Sequence, residues 1–337
     1  MTAGSRAGER LAGQRIPAAR RAWRPAACWL GLLALGFFPF FSPGPFWISL
    51  ASEIFVLALW AVSLDLLVGY TGLVSFGHAA YFGLGAYGSA LLMIHLAPSL
   101  LVGIVGGTLV AASMAALVGW LSVRRPGVAF SMLSLAFAQV FYTIAFKWRG
   151  VTGGDDGLRG IPHPSVALGP LTFDSADRVH LYWLTLMALA GSLLLARRIV
   201  QSPFGAVLEA VRENEERARF IGYNTQLYKF GAFVIAGALA GLAGALFTLL
   251  KGFVAPIVLN WSASGQVLMM TILGGVGTLF GPILGAAVYL VAQDIASSHT
   301  EHWLLYFGAL FMVVVLFVPG GMAGLLRARR TRMKDER

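Results

Sequence analysis

Seven stretches of this chain run without a single Asp, Glu, Lys or Arg: residues 26–52, 66–123, 126–146, 179–196, 230–250, 252–293 and 302–326. Each is at least as long as a bilayer crossing, which takes roughly 17 to 25 residues. A water-soluble fold is excluded, because 58% of the residues are hydrophobic and only 12% charged, against about a quarter charged in ordinary soluble domains. The expected fold is an all-α, polytopic transmembrane helical bundle of about ten spans, within a range of roughly eight to ten, with broken or re-entrant glycine-rich segments.

The crossings expected from hydropathy are 27–41, 47–68, 79–96, 100–121, 128–146, 181–196, 230–250, 264–275, 282–295 and 303–322. Arginine placement orients them. With the N-terminus inside, the internal segments hold Arg6, Arg10, Arg15, Arg20, Arg21, Arg24, Arg124 and Arg125, then the basic residues of 197–229 and of 327–337. That is 20 of the 25 Lys and Arg, leaving Lys147, Arg149, Arg159, Arg178 and Lys251 outside. The positive-inside rule therefore puts both termini in the cytoplasm. The +10 net charge belongs to this asymmetry, and nucleic acid is not an expected partner. The chain divides into a basic cytosolic tail (1–26), a transmembrane domain (27–326) with an external loop at 148–180 and a cytosolic helical region at 202–228, and a second basic tail (327–337). Cys28 stands alone, so no disulfide framework or cysteine-based metal site is available.

Two glycine-rich breaks interrupt the apolar runs, at 69–77 and at Gly274, Gly275 and Gly277. Non-helical backbone at membrane depth is tolerated only where protein buries it or where it lines a cavity. Both breaks are candidate pathway elements, and a sparse shared pattern, Phe76-Gly77 with Gly83 and Phe280-Gly281 with Gly285, suggests repeats that bring them together near the midplane. Candidate pathway residues are Asp65, Gly72, Ser75, His78, Gln139, Gly275 and Gly277. An alternative role for Asp65 is a structural carboxylate held by backbone N–H groups of 69–72. Small residues at four-residue spacing, Gly237, Gly241 and Ala245, read as close helix packing.

No Gly-Lys-Ser or Gly-Lys-Thr occurs, so the chain carries no phosphate-binding loop of the usual type, and no His-Glu-x-x-His or Gly-x-Ser-x-Gly accompanies it. A non-catalytic protein without cofactor or metal is expected. The external sequence Thr152-Gly153-Gly154-Asp155-Asp156 reads as a turn-rich loop and a candidate docking surface for an external partner. Between Ser202-Pro203 and Gly222 lies an expected amphipathic cytosolic helix, its apolar stripe Phe204, Val207, Leu208 and Val211 fit for a groove on a motor domain. Its polar face includes Glu209, Arg212 and Glu213.

Four stretches carry a family resemblance: 64–87 (Leu-Asp-Leu-Leu-Val-Gly-Tyr-Thr-Gly-Leu-Val-Ser-Phe-Gly-His and onward), 152–158, 202–222, and 274–282 (Gly-Gly-Val-Gly-Thr-Leu-Phe-Gly-Pro). Together they resemble the LivM-type permeases of bacterial branched-chain amino acid importers. The resemblance implies an inner-membrane subunit with several partners: a homologous second permease, two ATP-binding-cassette ATPases and a periplasmic solute-binding protein, all within membrane lipid. It also implies that 204–222 is the ATPase-coupling helix, through Phe204, Gly205, Leu208, Glu209, Ala210, Arg212, Glu213 and Gly222, although the Glu-Ala-Ala signature of many importers stands here as Glu209-Ala210-Val211. Similar permeases serve urea and short-chain amides. A self-sufficient secondary transporter is the rival from another class, and it requires Asp65 or another buried ionisable group.

Overall fold

The computed structural model describes residues 31, 35–41, 44–125, 127–168, 171–299, 302, 305, 308–309, 312 and 320–324. The two basic tails, Cys28, part of the expected first crossing and most of the expected last one lie outside the described residues. Ten helices of six residues or more are described: α1 (Pro45–Val68), α2 (His78–His95), α3 (Leu100–Ser122), α4 (Val128–Lys147), α5 (Arg178–Gln201), α6 (Pro203–Glu213), α7 (Glu215–Phe220), α8 (Thr225–Lys251), α9 (Trp261–Gly274) and α10 (Gly281–His299). Short helical turns at Phe38–Phe41, Arg149–Thr152, Gly154–Asp156 and Pro256–Leu259 complete the set.

Among the described residues, five helices are long and apolar enough to cross a membrane: α1, α3, α4, α5 and α8. They match five of the ten crossings read from hydropathy, and the first and last of those ten lie partly outside the described residues. The expected crossing at 79–96 is α2, which is buried on most of its surface and rich in Gly, Ala, Ser and Tyr. Its packing does not need a lipid-facing apolar coat, which is why it falls below the hydropathy of the others. Segments 264–275 and 282–295 form α9 and α10, two helices joined by a non-helical stretch at 275–280.

The bundle is organised around α8, which packs against α2, α3 and α1. Lipid offers no hydrophobic drive to press helices together, so close backbone approach and dispersion supply the cohesion. A Cβ added at Gly244 would lie 1.9 Å from the Phe82 carbonyl, and one at Gly241 2.2 Å from the Ala111 Cβ. The small-residue ridge on α8 is therefore a packing surface. By contrast, α3 and α4 leave most of their length exposed, with Leu101, Leu109, Leu117, Met132 and Val140 turned outward, as lipid-facing helices do.

The all-α expectation needs one correction. Within the 148–180 loop, β1 (Ser165–Leu168) and β2 (Leu171–Asp174) pair antiparallel, Ser165 opposite Asp174 and Leu168 opposite Leu171. Two short β-prone runs flank Gly169-Pro170 in the sequence, and that two-residue spacing is the hairpin signal.

Candidate functional site

At the C-terminal end of α1 the chain leaves the helix and runs extended before α2. Gly72, Val74 and Phe76 are exposed, while Thr71, Leu73, Ser75 and Gly77 are buried. The backbone freed by this break is satisfied from neighbouring helices. Ser131 Oγ donates to the Val74 carbonyl at 2.7 Å, the Phe76 N–H donates to Ser134 Oγ at 3.1 Å, and the Ala79 N–H donates to Ser264 Oγ at 2.9 Å. Ser131 and Ser134 share one face of α4 through their three-residue spacing. Gly77 is required there, since a Cβ would lie 2.0 Å from the Ser134 carbonyl oxygen.

The two glycine-rich breaks meet at this point. Asp65, with no exposed surface, accepts a hydrogen bond at Oδ1 from the Gly277 N–H at 2.7 Å, and Tyr70 Oη donates to the Gly277 carbonyl at 3.2 Å. Burying a carboxylate costs several kcal/mol unless it is paired or hydrogen-bonded. Here the backbone of the other break supplies the donor. The expected donors, the N–H groups of 69–72, do not: the Gly69 N–H instead donates to the Asp65 main-chain carbonyl at 2.7 Å. The contact also sits at the end of α1, whereas the internal-repeat pattern predicted a meeting near the midplane. Gly72 and Gly277 both take positive φ, 76° and 75°, and a Cβ at Gly69 would lie 2.6 Å from the Gly277 nitrogen.

A third element reaches the same junction. Arg212, on α6, donates from a guanidinium nitrogen to the Gly69 carbonyl. Its aliphatic stem covers Gly72, and its charge attracts the Asp65 carboxylate. One side chain of a surface helix thus touches the two breaks of the bundle at their junction, because Gly277 also lies within reach of the same guanidinium.

The other expected pathway residues are distributed around this node. Ser63 Oγ and His78 Nε2 form a buried hydrogen bond of 2.8 Å, and Ser75 is fully buried in the break. Asp65 Oδ2, Ser75 Oγ and His78 Nδ1 have no hydrogen-bond partner among the described residues. Gly275, with φ 113°, packs beneath the Gly320 carbonyl and Ala323. Gln139 is half-buried on α4, about 7.5 Å further along that helix than Ser134, and does not join the node.

The expected single helix over 204–222 is two helices. Ser202 caps α6 by accepting from the Gly205 N–H, with Pro203 in the first turn, and α6 ends at Asn214. There the backbone turns extended, and Asn214 Oδ1 accepts from the Arg217 N–H at 2.9 Å to start α7, with Glu215 and Glu216 in its first turn. An Asn followed by two acids is itself a helix-start signal. Val207, Leu208 and Val211 are buried, with Phe204 stacked on Tyr228 of α8. The apolar stripe therefore seats α6 on its own bundle, and Glu209, Ala210 and Glu213 face outward while Arg212 turns to the junction. Beyond them Phe220 and Ile221 stand exposed, at 90% and 70%, a feature the sequence pattern did not single out. Glu215 ties this region to α8 through Lys229 Nζ at 2.6 Å and Thr225 Oγ1 at 3.1 Å, and pairs within α7 with Arg219 at 3.3 Å.

At the other end of the bundle, Thr152 Oγ1 donates to the Ala145 and Trp148 carbonyls at 2.6 and 2.7 Å. Gly153 and Gly154 turn the chain with positive φ. Leu158 and Val254 exchange hydrogen bonds of 2.8 and 3.0 Å. The backbone of this loop is used internally; Asp155 and Asp156 are its exposed groups. Among the described residues no cluster of three or more His, Cys, Asp or Glu side chains is placed to hold a metal ion.

A family profile described as "Branched-chain amino acid transport system / permease component" matches residues 46–319. The chain is 28% identical over 299 residues to the high-affinity branched-chain amino acid transport system permease protein LivM of Escherichia coli K12, covering 83% of this chain and 70% of that protein. It is 27% identical over 283 residues to LivH of Salmonella typhimurium, covering 79% and 91%, and 24% identical to a probable LivM of Methanocaldococcus jannaschii, covering 78% and 88%. No solved structure matches. A match over residues 46–319, taking in both glycine-rich breaks and the α6 helix that bridges them, makes this multi-pass membrane protein a member of the branched-chain amino acid transport permease family.

Proposed function

We propose that this chain is the permease subunit of an ATP-binding-cassette importer for branched-chain amino acids, forming half of the translocation pathway. It resides in the bacterial inner membrane with α6 and both termini in the cytoplasm. Its partners are a second, homologous permease, two ATPase subunits and a periplasmic solute-binding protein. The names of its LivM and LivH relatives support the solute and the paired permease; the arginine asymmetry supports the orientation.

One observation carries the coupling role. Arg212 runs from α6 to the junction of the two glycine-rich breaks. The stripe that roots α6 on α8 leaves Glu209, Ala210, Glu213, Phe220 and Ile221 outward for an ATPase surface. Movement imposed on α6 is then delivered by Arg212 to backbone held at Gly69, Gly72 and Gly277. The chain itself performs no hydrolysis; its residues hold and release the inner end of the pathway. Asp155 and Asp156, at the opposite end, face the binding protein.

The complete importer in proteoliposomes tests this. Arg212→Ala should leave ATP hydrolysis within about twofold of wild type and lower leucine uptake by about tenfold, the loss of a charge-assisted hydrogen bond. Unchanged uptake per ATP hydrolysed rejects the coupling role.

A further inference from the structure

At the end of the bundle opposite α6, a cavity of about 740 Å³ opens between the start of α1, the start of α5 and the end of α8. That size lies within the range of about 300–1,000 Å³ occupied by small-molecule sites. Its chemistry is unusual for this protein. Glu53 and Lys251 pair across it at 2.8 Å, only partly exposed at 23% and 33%. Arg178 also lines it, and forms no ion pair among the described residues. The wall includes Ser175, which is fully buried and whose hydroxyl has no hydrogen-bond partner among the described residues. Phe46 and Trp47, both exposed, supply apolar surface beside these groups.

We infer that this cavity binds a small zwitterionic amino acid with an apolar side chain. The ion pair leaves capacity on both partners: one Glu53 oxygen and two Lys251 protons have no hydrogen-bond partner among the described residues. The solute's ammonium fits the free Glu53 oxygen. Its carboxylate fits Lys251 and the planar fork of Arg178, which matches carboxylate geometry. Ser175 Oγ donates to the same carboxylate, and the side chain lies against Phe46 and Trp47. A neutral urea or amide makes no charge-assisted contact with Glu53, Lys251 or Arg178, so the cavity favours the zwitterion over such solutes. The site lies about 18 Å along α1 from Asp65, by helical rise. It is where incoming solute first meets this chain. The inference rests on the proposed amino acid importer role and names its outer subsite.

The test is equilibrium binding of radiolabelled L-leucine to the full-length chain in nanodiscs, beside ATP-driven leucine uptake by the complete importer. L-Leucine should bind saturably. 4-Methylpentanoate, which lacks the ammonium, and 3-methylbutylamine, which lacks the carboxylate, should each compete at least about tenfold more weakly. Lys251→Ala and Arg178→Ala should each weaken leucine binding about tenfold; Arg178 is exposed and outside the Glu53 pair, so its variant reports on binding even where Lys251→Ala fails to fold. Absence of saturable leucine binding, an unchanged affinity in Arg178→Ala, or displacement by equimolar acetamide overturns the inference. Persistent wild-type leucine uptake alongside any of these results rejects the cavity alone; uptake of another solute in place of leucine rejects the importer reading itself.

Discussion

Two carboxylates stand on α1, and their settings are opposite. Glu53 shares a partly open cavity with a cation and keeps contact with solvent. Asp65 has no exposed surface and is held by a backbone N–H from a segment distant in sequence. The same chemical group thus serves as a ligand-facing charge at one end and as a fastener at the other. What separates them is where the remaining lone pairs point. At Glu53 they face a cavity; at Asp65 they face protein, which makes its loss costly and its neighbours strict.

The largest expected break in this comparison comes from truncation. Asp65→Ala leaves the partly buried Gly277 N–H without its acceptor, a penalty of about 1–3 kcal/mol, to which the lost attraction of Arg212 adds. Glu53→Ala, at a partly exposed pair, should cost under about 1 kcal/mol. Thermal unfolding of the detergent-purified chain reads both, and equal losses would abolish the distinction. Next in size is glycine replacement at the two ends of α1. Gly69→Ala forces a Cβ to within 2.4 Å of the Asp65 carboxylate and should cost about 1–3 kcal/mol. Gly44→Ala meets nothing within 4 Å and should leave the melting temperature unchanged.

The smallest effect belongs to Glu215. Burial raises its pKa, but the hydrogen bond and charge of Lys229, with Thr225 and Arg219, outweigh burial and hold it below its ordinary value of 4.5. A carboxylate held low stabilises the fold above its unfolded pKa and loses that contribution as pH falls through the folded value. Hydrogen exchange over α7 should therefore rise below about pH 4.5 in the wild type. In Glu215→Gln that acid-dependent step should be absent, with a neutral-pH cost under about 1 kcal/mol because the site is partly exposed.

Much of the architecture was legible in the sequence. Charge-free runs located α1 to α5 and α8, and the glycine clusters located both breaks. Asp65, Gly72 and Gly277 were each singled out and the two breaks were expected to meet, but the bond that joins them was not legible, because a side chain accepting from a backbone N–H 212 residues away leaves no periodic trace. Arg212 was read as part of the polar, ATPase-facing side of the helix for a similar reason: its reach to Gly69 depends on how α6 is seated. That seat was misread as well, since an amphipathic stripe does not say whether its own bundle or a partner covers it. The break at Asn214 and the β1–β2 pairing did have local signals, an Asn-Glu-Glu start and a Gly-Pro pair between two short β-prone runs. The outer cavity gathers residues from α1, α5 and α8, and only the folded chain brings them together.

The central claim is that Arg212 carries the motion of α6 to the glycine-rich break. The ideal Cβ position at Gly72 lies 3.6 Å from the Arg212 Cβ, within the span of about 3.5–4.5 Å that a disulfide bridges. In a Cys28→Ser background, the Gly72→Cys/Arg212→Cys pair removes the guanidinium link and offers a covalent one in its place. With ATP hydrolysis and leucine uptake followed together in the complete importer, the reduced pair should hydrolyse ATP with little uptake, and oxidation should restore uptake. Equal uptake in the two redox states, or arrest on oxidation, would contradict the account.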